Sequence, residues 1–222
     1  MEYVLKKHYL RISSAFCYYP GMHPNHADKL LRLAEAQPAV SARELAAAGV
    51  PQRVLSRAAA RGHLRRVGRG LYTGMKASPS AHQSVIEVTK LAPKAVVCLL
   101  SALEIHEVGV QAPFEVWIAL PAGTHAPKGT GAAIRVTRLS GAAFSEGIET
   151  VVLDGAPVRV YSLVKTITDC FKLRNKVGLD VALEALREGW KARKFTMDEL
   201  RRYAQVNRMT NVMRPYLEAL TG

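Results

Sequence analysis

Residues 41–74 read SARELAAAGVPQRVLSRAAARGHLRRVGRGLYTG. Ser41 with Glu44 three positions on has the form of a capping box, in which a hydroxyl and a carboxylate satisfy backbone N–H groups at a helix start. Leu45 and Ala46 give that helix an apolar face, and Gly49 can adopt the left-handed conformation that ends it. Pro51 suits the first turn of the next helix, which runs to Gly62. Two short helices joined by a glycine-containing turn make a helix-turn-helix. His63 to Val67 then alternates like a strand, Gly68-Arg69-Gly70 can turn tightly, and Leu71-Tyr72-Thr73 returns. A hairpin directly behind the second helix of such a pair is the wing of a winged helix.

The faces of these elements separate cleanly. On the helix after Pro51, Leu55, Ala58 and Ala59, with Val54 at the edge, are expected to face a core. Gln52, Arg53, Ser56, Arg57 and Ala60 face outward, and Arg61 continues the line. Arg and Gln pair bidentately with base edges in the major groove, while small residues let the backbone approach. A recognition helix needs this composition near its N-terminus. In the hairpin, Leu64, Val67 and Leu71 are expected inward. Arg65, Arg66 and Arg69 are placed to meet phosphates or a minor groove. The expected DNA-binding set is therefore Gln52, Arg53, Ser56, Arg57, Arg61, Arg65, Arg66 and Arg69.

Charge distribution supports this reading. The 222-residue chain has a formal net charge of +13. Residues 1–76 carry 13 lysines and arginines against 4 acids, a net of +9, whereas residues 77–222 carry 18 against 14, a net of +4. No acid occurs between Glu44 and Glu87. Such a field attracts polyanions, most often nucleic acid. No apolar run approaches the roughly 20 residues that span a bilayer, so no membrane partner is expected. Cys98 and Cys170 lie in apolar runs and read as buried free thiols; with Cys17 they show no CxxC spacing, which suits a reducing cytoplasm.

Upstream, residues 24–36 place Leu30, Leu33 and Ala34 at helical spacing, with Asn25 as a candidate N-cap and Gln37-Pro38 as the stop. Residues 1–22 are expected to be a disordered arm or an extension from an upstream start, residues 23–76 the winged helix-turn-helix, and residues 77–222 a second domain. There SVIEVTKLAP reads as a helix. AVVCLLSALEIHEVG is either a strand leading into a helix or one buried helix. Phe114–Leu120 and Ala133–Leu139 read as strands around a loop, and ETVVLDGAPVRVYS as a hairpin turning at Asp154-Gly155. Ser162 caps a helix bearing Leu163, Ile167 and Phe171. A following helix aligns Leu183, Leu186 and Trp190, and Thr196 with Glu199 forms a second capping box. Strands followed by segregated helices give an α+β class.

Catalytic patterns are weak. Glu104, His106 and Glu107 do not share one helical face, and no acid in the chain has Lys two positions on, as a magnesium nuclease of the restriction type would. GTHAPKGTG (123–131) lacks P-loop spacing. No enzyme activity, cofactor or metal site is expected.

SARELAAAGVPQRVLSRAAARGHLRRVGRGLY, followed by a mixed domain with YSLVKTITDCF and trailing helices, resembles the AbiEi antitoxins of type IV toxin–antitoxin systems. The likeness runs from Asp28 onward and is most specific in Arg66–Tyr72 and Ser162–Asp169. In the second motif Lys165, Thr166 and Asp169 match, while Val164 stands where the family usually has Glu. The resemblance implies a winged helix that represses its own operon through operator repeats in double-stranded DNA. It also implies a C-terminal domain that neutralises a nucleotidyltransferase-like toxin, often without a stable complex. A stand-alone winged-helix regulator, with a ligand-binding or dimerising C-terminal domain, is the alternative expectation.

Overall fold

The computed structural model describes residues 24–77, 80–109, 113–129 and 131–221. The expected N-terminal arm and Cys17 lie outside them. The fold is α+β: a winged helix-turn-helix, then a mixed sheet with helices after it. The first unit consists of α1 (Pro24–Glu35), β1 (Val40–Ser41), α2 (Ala42–Ala47), α3 (Gln52–Ala60), β2 (Leu64–Gly68) and β3 (Leu71–Gly74). Its three strands are ordered β1-β3-β2, antiparallel throughout. Both capping residues of α2 act as expected: Ser41 accepts from the Glu44 N–H, and Glu44 accepts from the Ser41 N–H. Gly49, at φ 79°, ends the turn after α2.

Two details differ from expectation. Helix α1 starts at Pro24, so Asn25 lies within its first turn rather than at the cap. Pro51 is the N-cap residue of α3, at φ −64° and ψ 144°, and not its first helical residue. A ring-locked φ with extended ψ presets the chain for entering a helix. The core of this unit joins Leu30 and Ala34 of α1, Leu45 of α2, Val54, Leu55 and Ala58 of α3, and Leu64 and Tyr72 of the wing.

Beyond α4 (Gln83–Leu91) comes β4 (Val96–Val97) and then α5 (Leu99–Ile105), so AVVCLLSALEI is a strand leading into a helix. Strands β5 (Val116–Pro121), β6 (Ile134–Leu139), β7 (Ile148–Leu153) and β8 (Ala156–Tyr161) complete a five-stranded sheet, with α6 (Ala142–Ser145) between β6 and β7. The sheet order is β6-β5-β4-β8-β7. Strands β5 and β6 run parallel, as do β4 and β8, and the other pairs are antiparallel. Asp154 (φ 45°) and Gly155 (φ 79°) turn the β7–β8 hairpin, both positive as a type I′ turn requires.

The sheet is covered on both faces, which explains why β5 is one unbroken apolar run. Trp117 and Ala119 face one cluster, packed by α5 and by α7 (Leu163–Lys172), α9 (Leu179–Lys191) and α10 (Met197–Val206). Short α8 (Arg174–Val177) precedes α9, and α11 (Thr210–Thr221) closes the chain. Val116, Ile118 and Leu120 face the other cluster, with Val85, Ile86 and Val88 of α4. That second cluster also contains Ala39 and Leu71 of the N-terminal unit, so the two units share apolar core. The stripe on α9 differs from expectation: Val181, Ala182, Ala185, Leu186 and Gly189 are buried, while Leu183 and Trp190 are half-buried. Gly189 leaves room for Phe195, whose ring would lie 2.5 Å from any added Cβ. Cys98 and Cys170 are buried free thiols, and burial pushes both pKa values up, leaving them unreactive.

Candidate nucleic-acid interface

Helix α3 divides as its spacing dictates. Val54, Leu55 and Ala58 are buried, while Gln52, Arg53, Ser56, Arg57 and Ala60 are exposed, as is Arg61 just beyond the helix. Ala59 is half-buried at the boundary. Only residues 61–63 separate α3 from β2, so the wing rises directly from the end of the helix.

Arg65, Arg66 and Arg69 are all exposed. Arg65 pairs with Thr73 and Arg66 with Tyr72, and a register irregularity follows between Arg66 and Gly68. Successive strand residues point to opposite faces, so Arg65 and Arg66 diverge. Arg66 takes the side of Leu64 and Tyr72, the side on which α1, α2 and α3 pack. Its Nε donates to the Gly68 carbonyl at 3.2 Å, which folds the guanidinium toward the wing tip. Arg69 stands on that tip. Of the expected inward residues, Leu64 and Leu71 are buried, and Val67 is half-buried against the second unit's core.

The second unit grips this region at three places that sequence reading missed. At the wing, a Cβ on Gly68 would lie 2.8 Å from the Gly129 carbonyl oxygen, which belongs to the loop joining β5 to β6. Behind α1, a Cβ on Gly155 would lie 2.8 Å from the Ala36 carbonyl oxygen. At α2, the Lys90 ammonium from α4 donates to Glu44 Oε1 at 2.5 Å and to Gln37 Oε1 at 2.6 Å. Burial by itself would raise the Glu44 pKa, but bonds from Lys90 and Ser41, with the Lys90 charge, hold it below its ordinary value. The acid within the helix-turn-helix itself is therefore already paired with a cation. No local signal marks these contacts, because each joins residues tens of positions apart.

A second buried feature lies in the Ser162–Asp169 motif. Ser162 caps α7 by accepting from the Lys165 N–H. Lys165 is 0% exposed, and its Nζ lies 2.6 Å from both carboxylate oxygens of Asp169 and 4.4 Å from the Tyr161 ring centroid. Asn207, at the end of α10, donates to Asp169 Oδ1 and to Thr168 Oγ1. Burial lowers the Lys165 pKa and raises that of Asp169, each opposed by the partner's charge. Val164, at the position where the resemblance leads one to expect Glu, is itself buried in the helical core.

Neither a metal nor a membrane span emerges among the described residues: there is no cluster of three or more His, Cys, Asp or Glu side chains, and no helix long and apolar enough to cross a bilayer. His106 lies apart from any such group, its Nε2 being 2.7 Å from the Tyr161 carbonyl.

Comparison with curated protein sequences finds no match. The crystal structure of the RV2827C protein from Mycobacterium tuberculosis is similar in fold, with a TM-score of 0.54 and 14% identity over 83% of this chain and 72% of that one. Residues 28–73, which contain α1 from its second turn, the helix-turn-helix and nearly all of the wing, match a family described as "Transcriptional regulator, AbiEi antitoxin". Over this winged-helix segment the chain is similar to the AbiEi antitoxin family of transcriptional regulators.

Proposed function

We propose that the chain is a sequence-specific DNA-binding antitoxin that represses its own operon and neutralises a nucleotidyltransferase-like toxin. Residues 23–76 form the reading head, and residues 77–222 carry the antitoxin function. The observation that carries the DNA-binding half is continuity. Exposed Gln52, Arg53, Ser56, Arg57 and Arg61 lead directly into exposed Arg65, Arg66 and Arg69, in a segment without one acid between Glu44 and Glu87. The helix offers bidentate side chains to base edges, and the wing offers cations to phosphates. The toxin half rests on the family match alone. In this reading the protein works by binding in the cytoplasm, without turnover or cofactor.

The test is fluorescence anisotropy with duplex DNA from upstream of the protein's own gene and with scrambled duplex. Arg53→Ala and Arg57→Ala should each weaken binding to the upstream duplex by about 1–3 kcal/mol for every base edge no longer reached, and narrow its advantage over scrambled DNA. Unchanged discrimination in the double variant would remove α3 from the recognition role. Co-expression with the reading frame directly downstream tests the second half: growth restored by this chain supports it, and persistent growth arrest contradicts it.

A further inference from the structure

Between the N-terminal unit and the sheet lies a cleft of about 520 Å³. One wall is α2, with Arg43, Glu44 and Ala47; the others are Thr89 and Lys90 of α4, Pro93 and Ala95, and the outer face of the β7–β8 hairpin, with Pro157 and Arg159. This volume suits a small organic molecule, and clefts between units are favoured ligand sites.

The charges in the cleft are unbalanced. Glu44 is its one acid, and both its oxygens are engaged: Oε2 by the Ser41 N–H and hydroxyl, and Oε1 by Lys90. Among the described residues, neither Arg43 nor Arg159 has a carboxylate within ion-pair distance. Arg159 reaches only the carbonyls of Pro93 and Lys94, at 3.4 and 3.5 Å. An ammonium has three N–H donors, and those of Lys90 serve Gln37 and Glu44, so one is left. Besides the engaged Glu44, two guanidinium groups and this ammonium border a cleft otherwise lined by alanine, proline, threonine and serine. Guanidinium groups bind carboxylate and phosphate through paired hydrogen bonds.

We propose that this cleft binds a small organic anion, bearing carboxylate or phosphate groups on a short apolar body, which acts as an effector of DNA binding. Duplex phosphate is the wrong shape for the site, because the Lys90 side chain is only 7% exposed, wedged between α2 and the second unit. An anion seated on Arg43 and Arg159 competes with Glu44 for Lys90. The Glu44–Lys90 contact joins the capping box of α2 to α4, so the competition loosens the hold of the second unit on the helix-turn-helix. The effector role rests on the DNA-binding reading above; the anion site does not.

Isothermal titration of the full chain with inorganic phosphate and with succinate, in a buffer free of other polyvalent anions, tests the site. Saturable binding of either probe, one per chain, is expected, and the Arg43→Ala/Arg159→Ala variant should abolish it. Binding of phosphate alone assigns phosphate esters, and of succinate alone assigns carboxylates. At saturation the bound probe should raise the Kd for the upstream duplex by about tenfold, a typical coupling between two sites. Absence of saturable binding, or equal binding by the double variant, overturns the site; binding with an unchanged duplex Kd overturns the effector role. A duplex salt slope flattened in the double variant shows that these arginines meet DNA phosphates, which also overturns the proposal. Should the protein bind no upstream duplex at all while the titration behaves as expected, the DNA-binding reading fails and the anion site stands.

Discussion

Lys165 and Asp169 show how far a residue's meaning depends on what covers it. Four apart on a helix, a lysine and an aspartate read as an exposed i,i+4 pair contributing a few tenths of a kcal/mol. The sequence singled them out only through a resemblance, and no periodicity could place them inside, because the apolar face of α7 at Leu163, Ile167 and Phe171 leaves them on its polar side. That side is buried by other elements: the Tyr161 ring covers the Lys165 ammonium, and Asn207 at the end of α10 completes the Asp169 hydrogen bonds from 38 positions away. Every residue of α7 from Leu163 to Phe171 is buried. Removing one member of a buried pair strands the other's charge, so Lys165→Met should destabilise the fold by about 3–5 kcal/mol. Lys165→Met/Asp169→Leu should lose less than the sum of the two single variants. Urea unfolding followed by circular dichroism measures both, and additive losses would show that the two charges do not depend on each other.

Elements whose signals are local were legible at high resolution. Both capping boxes, the glycine after α2, the Asp154-Gly155 turn and the wing stand where the sequence put them, since each is decided by residues near one another in the chain. Boundaries set by packing were not: the buried stripe of α9 runs through Ala182, Ala185 and Gly189, and leaves Leu183 and Trp190 half-buried beside it. For α2 the cap has a measurable signature. Ser41→Ala should cost roughly 0.5–2 kcal/mol. The Glu44 carboxyl is held below its ordinary value of 4.5. A group depressed on folding stabilises above its unfolded pKa and loses that contribution as the pH falls through the folded one. Glu44→Gln should therefore be less stable than wild type at pH 7, and the gap should close as the pH drops below about 4.5, the ordinary value. Urea midpoints at pH 7 and pH 4 compare them, and a gap that does not narrow would show that Glu44 is not tied to Lys90 in solution.

Across the whole molecule, the class and the order of the parts could be read from the chain, but the way the parts join could not. Strand order β6-β5-β4-β8-β7 brings together segments remote in sequence, and two of its pairings are parallel, for which a strand pattern carries no sign. Likewise the division at residue 76 follows composition, whereas Ala39 and Leu71 pack among the side chains of the second sheet. With this shared core, thermal unfolding monitored by near- and far-ultraviolet dichroism should give coincident, single transitions; two separated transitions would mean that the units fold independently. The net charge of +13 belongs to this scale too, because it sets how strongly salt opposes binding to a polyanion.

Salt dependence also gives the most direct test of whether α3 and the wing form one cationic surface for duplex DNA. The slope of log K against log salt concentration, measured on the upstream duplex, is compared between wild type and Arg65→Ala/Arg66→Ala/Arg69→Ala. The slope should flatten by about 0.9 for each phosphate that the wing no longer neutralises, with binding weakened to a similar degree on all sequences. A triple variant with the wild-type slope would contradict the wing's role and, with it, the repressor reading.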